Sequence, residues 1–182
     1  MECISPWLQK KSLPANTGAH QKLKEKVAKL KVKFIEAKSE SPITNTLSSK
    51  KYLLESNSLG AKAISFYFNK DNCEMIVNYE QGDRKLHFGM NYWEKAKNGI
   101  LFNQQLPFPV TTLPNVNSPV ACKATWKDDQ TLYMEIRPVE TVTSDSITCY
   151  FTNDVLKLAF LESVARAGKQ KENRPPLIGR IS

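Results

Sequence analysis

Cys73-Glu74-Met75-Ile76-Val77-Asn78-Tyr79-Glu80-Gln81-Gly82-Asp83-Arg84-Lys85-Leu86-His87-Phe88-Gly89-Met90 is the stretch that decides the fold. Cys73, Met75, Val77 and Tyr79 share one phase of a two-residue period, and Leu86, Phe88 and Met90 share the apolar phase beyond the turn. Successive side chains of a strand point to opposite faces, so each run reads as a strand with one apolar and one polar face. Gln81-Gly82-Asp83 between them reads as a hairpin turn, its glycine able to take positive φ.

The same rhythm runs outward in both directions. Upstream, Tyr52 and Leu54 share a face in 51–55, and Ile64, Phe66 and Phe68 share one in 61–69. Downstream the inward sets are Val120, Cys122, Ala124 and Trp126; Leu132, Met134 and Ile136; Ile147, Cys149 and Phe151; and Leu156, Leu158 and Phe160. Residues 177–182 read as a closing strand, with Leu177, Gly179 and Ile181 on one face. The fold class expected is mainly β: an antiparallel up-and-down barrel of about 8–9 strands with a short N-terminal helix. Consecutive hairpins with one apolar face favour closure, which removes exposed edges. A sandwich is the alternative. A slip of one residue would turn every apolar side chain outward, so the alternation fixes the pairing.

Two segments stand outside the rhythm. Residues 1–38 read as a connector, with a helix at about 18–31 capped by Asn16 or Thr17. Leu23, Val27 and Leu30 line one stripe of it, and Trp7 lies upstream. Residues 36–49, rich in Ser, Thr, Glu and Lys, read as a linker into a barrel domain at 39–182. The second segment is 102–118, with Phe102, Pro107, Phe108, Pro109 and Leu113. It is too long for a hairpin turn and too apolar for a solvated loop, so it is a candidate interface loop.

Charge is uneven. The chain of 182 residues has a net charge of +8, but residues 1–40 carry 9 basic and 4 acidic groups, and residues 167–182 carry 4 and 1. The β body between is neutral, which argues against a nucleic-acid surface. Cys73, Cys122 and Cys149 fall on inward phases, Cys3 lies in the connector, and no Cys-x-x-Cys pair is present, so neither a structural zinc nor a cofactor is expected. Residues 1–40 hold no continuous apolar stretch, and no segment approaches the length of a membrane span. His20 and His87 are the two histidines, and His87 sits on the polar phase of its strand. Asp128 and Asp129 read as turn formers. The inward set contains many bulky residues, so the interior is either solid or a cavity for one small apolar ligand.

Four stretches carry a family resemblance. They are Lys51-Tyr52-Leu53-Leu54-Glu55-Ser56-Asn57 with Leu59-Gly60-Ala61-Lys62-Ala63-Ile64-Ser65-Phe66; Phe88-Gly89 with Trp93; Ala124-Thr125-Trp126-Lys127-Asp128-Asp129-Gln130-Thr131-Leu132 running on to Glu140-Thr141; and Asp145-Ser146-Ile147-Thr148-Cys149-Tyr150-Phe151. Together with Pro6-Trp7-Leu8 and the connector helix, they resemble the lipocalin-like C-terminal barrel of bacterial serine hydrolases of the β-lactamase and penicillin-binding-protein superfamily, common in Bacteroidetes. The resemblance implies a non-catalytic accessory domain, an extracytoplasmic location, and a catalytic serine-hydrolase domain as its partner. That domain's Ser-x-x-Lys, Tyr-x-Asn and His-x-Gly strings have short echoes here in Ser48-Ser49-Lys50-Lys51, Tyr67-Phe68-Asn69 and His87-Phe88-Gly89. All three fall within residues 48–89, where the family needs a whole α/β domain, and Ser48 is expected to open a strand instead of a helix. No catalytic residue is assigned.

Overall fold

The computed structural model describes residues 15–29, 38, 40–97, 102, 119–139, 142–169 and 171–182. The chain divides into two compact units, Met1–Ile35 and Glu36–Ser182. In the first, α1 spans Thr17–Ala28. The Asn16 side chain accepts the Ala19 N–H at 2.9 Å, satisfying one of the donors a helix start leaves open. Leu23 and Val27 lie on α1 and are more than half exposed, at 58% and 56%. Trp7 and Leu30, the other connector residues singled out above, lie outside the described residues.

The second unit runs α2 (Thr44–Leu47), β1 (Lys51–Leu54), β2 (Ala63–Phe68), β3 (Asn72–Tyr79), β4 (Gly82–Met90), β5 (Glu94–Ala96), β6 (Val120–Trp126), β7 (Thr131–Pro138), β8 (Asp145–Thr152), β9 (Val155–Glu162), α3 (Ser163–Ala167) and β10 (Leu177–Ile181). Around the wall the order is β1-β2-β3-β4-β6-β7-β8-β9-β10 and back to β1, a closed mixed barrel of nine strands. Parity explains the mixture. Strands that alternate up and down can all pair antiparallel only when their number is even. With nine, one seam must be parallel, and it lies between β4 and β6, where Gly89 faces Lys123 and Met90 faces Ala124.

The chain also repairs that seam. Asn91 takes φ 63°, folding the backbone back so that β5 runs antiparallel along the rest of β6, from Glu94↔Cys122 to Ala96↔Val120. The Tyr92 ring then lies over Gly89. A Cβ at Gly89 would meet that ring and the Tyr92 carbonyl at 2.7 Å, so the close approach requires glycine. The two-residue period does not show this excursion, and Lys123 and Thr125 beside it, on the polar phase, are buried.

The inward phases are those read from the pattern. Phe66, Met75, Leu86, Phe88, Trp126, Leu132, Met134 and Ile147 show essentially no exposed surface. Fully burying a side chain of this size is worth about 1.5–3 kcal/mol against leaving it in water. Side chains lining a water-sized void would keep surface facing it, so the barrel is packed through along these residues. An aromatic chain runs across it: Phe66 to Phe151 at 5.5 Å, Phe151 to Trp126 at 5.9 Å, and Trp126 to Phe68 at 5.7 Å. Gly82 takes φ 124° in the β3–β4 turn, as that turn demands.

One segment read differently. Residues 40–49, with residue 38, are not a simple linker: Ser41 and Leu47 are buried, and Leu47 joins the core. Lys38 N–H donates to the Trp126 carbonyl at the end of β6, while Ser49 N–H donates to the Phe66 carbonyl on β2. Between these anchors the segment crosses one mouth of the barrel. Its polar composition concealed a plug anchored by buried Leu47, with half-buried Ile43 packed against the same core. Ser48 accordingly does not open a strand; it ends α2.

Candidate functional site

The two ends of the barrel hold the polar architecture. At one end β8 starts with Asp145 and β9 finishes with Glu162, and the segment after α3 returns to β10. That segment places Arg174 inward with only 4% of its side chain exposed. Its guanidinium donates to both Asp145 oxygens at 2.7 Å, and to Glu172 through Nε at 2.8 Å and a terminal nitrogen at 3.0 Å. It also lies 4.7 Å from the Phe160 ring centre. Glu172 in turn accepts the backbone N–H of Glu162 at 2.9 Å and of Arg174 at 3.1 Å. Both carboxylates are held bidentately, and one terminal nitrogen of the guanidinium is shared between them.

The electrostatics follow. Burial works against the charge on Glu172, but the hydrogen bonds from Arg174 and from the backbone outweigh it and hold the carboxyl at about 2. Burial, then the neighbouring Asp145 charge, pushes Glu162 above the ordinary carboxylate range. Burial disfavours the Arg174 cation too, but its bonds to Asp145 and Glu172 more than compensate. Beside the cluster, Arg166 donates to Ser146 Oγ at 3.1 Å, and that hydroxyl donates to the Leu161 carbonyl at 2.7 Å. Sequence reading placed Arg174 in a basic tail. The available signal was its position: an arginine directly before Pro175-Pro176 and a closing strand is held where it must meet the barrel rim.

Phe102, from the candidate interface loop, lies at this same end. It is 3% exposed and meets Phe160 edge to face at 5.0 Å. Phe102 is thus part of the barrel's own core. Pro107, Phe108, Pro109 and Leu113 lie outside the described residues.

At the opposite end, beside α2, a cavity of about 260 Å³ opens between the plug and the β2–β3 turn. Phe68, Met90 and, beneath them, Trp126 form its floor; Ser41, Thr44 and Asn45 line one side, and Asn69 and Lys70 the other. Ser41 Oγ donates to the Asp129 carbonyl at 2.6 Å and so ties the plug to the β6–β7 turn. Thr44 Oγ1 is buried and makes no hydrogen bond to the protein.

No protein-family model and no curated protein matches the chain.

The short strings that echo serine-hydrolase motifs serve the fold. Ser48 Oγ accepts the Phe68 N–H at 3.3 Å. Asn69 closes the β2–β3 turn, its N–H donating to the Asn72 carbonyl at 2.8 Å. Tyr67, Glu74 and His87 form a row on the outer wall across β2, β3 and β4, with His87 Nε2 3.4 Å from Glu74. His87 is exposed, as its polar phase implied. The Asp128 carboxylate accepts the Gln130 N–H at 2.8 Å, the turn-forming role expected of it, and that bond lowers its pKa. Cys73, Cys122 and Cys149 are buried thiols, and burial raises all three, Cys122 to about 12. Among the described residues no cluster of three metal-ligating side chains occurs, and no helix is long and apolar enough to cross a membrane. The outer wall carries Glu74, Lys85, His87, Lys157 and Arg180, unlike the apolar band of a membrane barrel.

Proposed function

We propose that this chain is a non-catalytic accessory barrel, resembling the C-terminal domain of β-lactamase-type serine hydrolases, that packs on a catalytic domain and shapes substrate access to it. The supporting observation is the packed interior. A barrel filled by Phe66, Phe88, Trp126 and Met134 is a rigid body, and its function then lies on its surface and ends. The same packing weighs against the alternative of a container for an apolar ligand. The hydroxyl and imidazole closest to a catalytic pattern sit apart, Ser48 engaged by backbone at the plug and His87 on the outer wall.

The reading is tested by adding the chain to a β-lactamase-type catalytic domain prepared without its own barrel. Association by calorimetry together with a changed KM for nitrocefin or a p-nitrophenyl ester is expected. The chain alone should turn over neither substrate. No association and no change in KM would refute the accessory role, and turnover by the chain alone that Ser48→Ala abolishes would make it an enzyme.

A further inference from the structure

We propose that the cavity beside α2 is a binding site for a small neutral polyhydroxylated ring, of the size and chemistry of a monosaccharide. The site is separate from the packed barrel interior and does not depend on the accessory-domain reading.

Size comes first. A volume of about 260 Å³ equals roughly nine waters at about 30 Å³ each, below the range of drug-sized pockets. One six-membered ring with its substituents fills that space. The lining then selects the chemistry. Its floor is the half-buried surface of Phe68 and Met90, backed by the fully buried Trp126, and Phe68 can meet the C–H face of a ring. Its walls carry amides: Asn45 from the plug and Asn69 from the facing turn. Such groups both donate and accept, which matches ligand hydroxyls that also do both. One cation, Lys70, and one anion, Glu40, border the site, so it carries no net charge to select an ion.

Two hydroxyls of the plug already serve the fold: Ser41 binds the Asp129 carbonyl, and the Thr46 hydroxyl donates to the Ile43 carbonyl at 2.7 Å. The exposed amides of Asn45 and Asn69, on the two walls, are therefore the groups a ligand hydroxyl would meet.

The test is a titration of the intact chain with glucose, galactose and N-acetylglucosamine, and with benzoate and benzylamine as charged, flat competitors. Backbone amide shifts of Thr44, Asn45, Asn69 and Lys70 are followed by NMR, to about 10 mM, tenfold above a dissociation constant of about 1 mM. At least one sugar is expected to shift these amides saturably and more tightly than either charged probe. Asn45→Ala and Asn69→Ala, both on exposed side chains, should each weaken binding about tenfold while leaving the melting temperature within a few degrees. Three results overturn the proposal: no saturable shift with any of the sugars, tighter binding of benzoate or benzylamine, or sugar affinity unchanged in both folded variants.

Discussion

Replacing Arg174 by alanine should cost more stability than the removal of any other single charged side chain in the described residues. The substitution deletes four hydrogen bonds, two to Asp145 and two to Glu172, and leaves two carboxylates facing each other where their shared cation stood. Asp145 is only 8% exposed, so water does not readily take over. Breaking a buried ion pair by removing one partner costs about 3–5 kcal/mol. For a chain of this length each kcal/mol moves the midpoint by about 2–4 °C, giving a fall of about 6–20 °C in calorimetry. Arg174→Lys separates geometry from charge. Lysine keeps the cation but lacks the planar fork, so it should recover less than half of the loss. A fall of under about 2 °C for the alanine variant would show that the cluster is solvated and that the reasoning from burial is wrong.

The same variant carries a pH signature. Glu172 is held at about 2 against an ordinary 4.5, so its contribution is fully present above about 4.5 and is lost as pH falls toward 2. The shift bounds that contribution at roughly 3 kcal/mol. Glu162 acts in the opposite sense. Its carboxyl is raised, so the stability tied to its protonation is present at low pH and is lost as pH rises through its folded value. The wild-type acid limb is therefore shallower than Glu172 alone would make it. In Arg174→Ala the guanidinium's share of the depression of Glu172 is lost while the backbone N–H bonds remain, and the stability gap between wild type and variant should narrow as pH drops from about 5 to about 2.5. A gap independent of pH would mean that the loss is one of packing on Phe160 and not of charge.

Trp126→Ala should lower stability by about 3–5 kcal/mol in urea unfolding, since the ring touches both Phe68 and Phe151 at full burial. Gly89→Ala should cost about 1–3 kcal/mol and speed hydrogen exchange at Met90 and along β6, because its Cβ forces Tyr92 off the parallel seam. Tyr52→Phe should cost nothing or stabilise slightly, since the Tyr52 hydroxyl is buried without a protein partner; a loss above about 1 kcal/mol would reveal a bond to that oxygen. Cys73, Cys122 and Cys149 should resist thiol-reactive probes in the folded chain and label only on unfolding, as peptide mapping by mass spectrometry will show.

What was legible in the sequence and what was not divides along a physical line. Alternation reports which face of a strand meets the interior, and interior packing is a property of each strand alone. Hence the inward phases from Tyr52 to Ile181, the hairpin at Gly82 and the closing strand could be read directly. Alternation is silent where burial comes from a neighbour outside the period. Lys123 and Thr125 sit on the polar phase yet are buried at the β4–β6 seam, where Lys123 faces Gly89 and the Thr125 hydroxyl donates to the Asn91 side chain. Arg174 looks like tail charge until its carboxylate partners, Asp145 and Glu172, arrive from β8 and from its own segment. The plug at 40–49 has the composition of a linker because Leu47, Ile43 and one buried serine suffice to seat it. Most of the missed features are polar, and with Leu47 and Phe102 they lie at a seam or a mouth of the barrel. That is where polar side chains must find partners in space that the local pattern does not name. In a barrel whose interior is solid, these are also the places left for binding, so the least legible residues are the ones on which a functional test should fall.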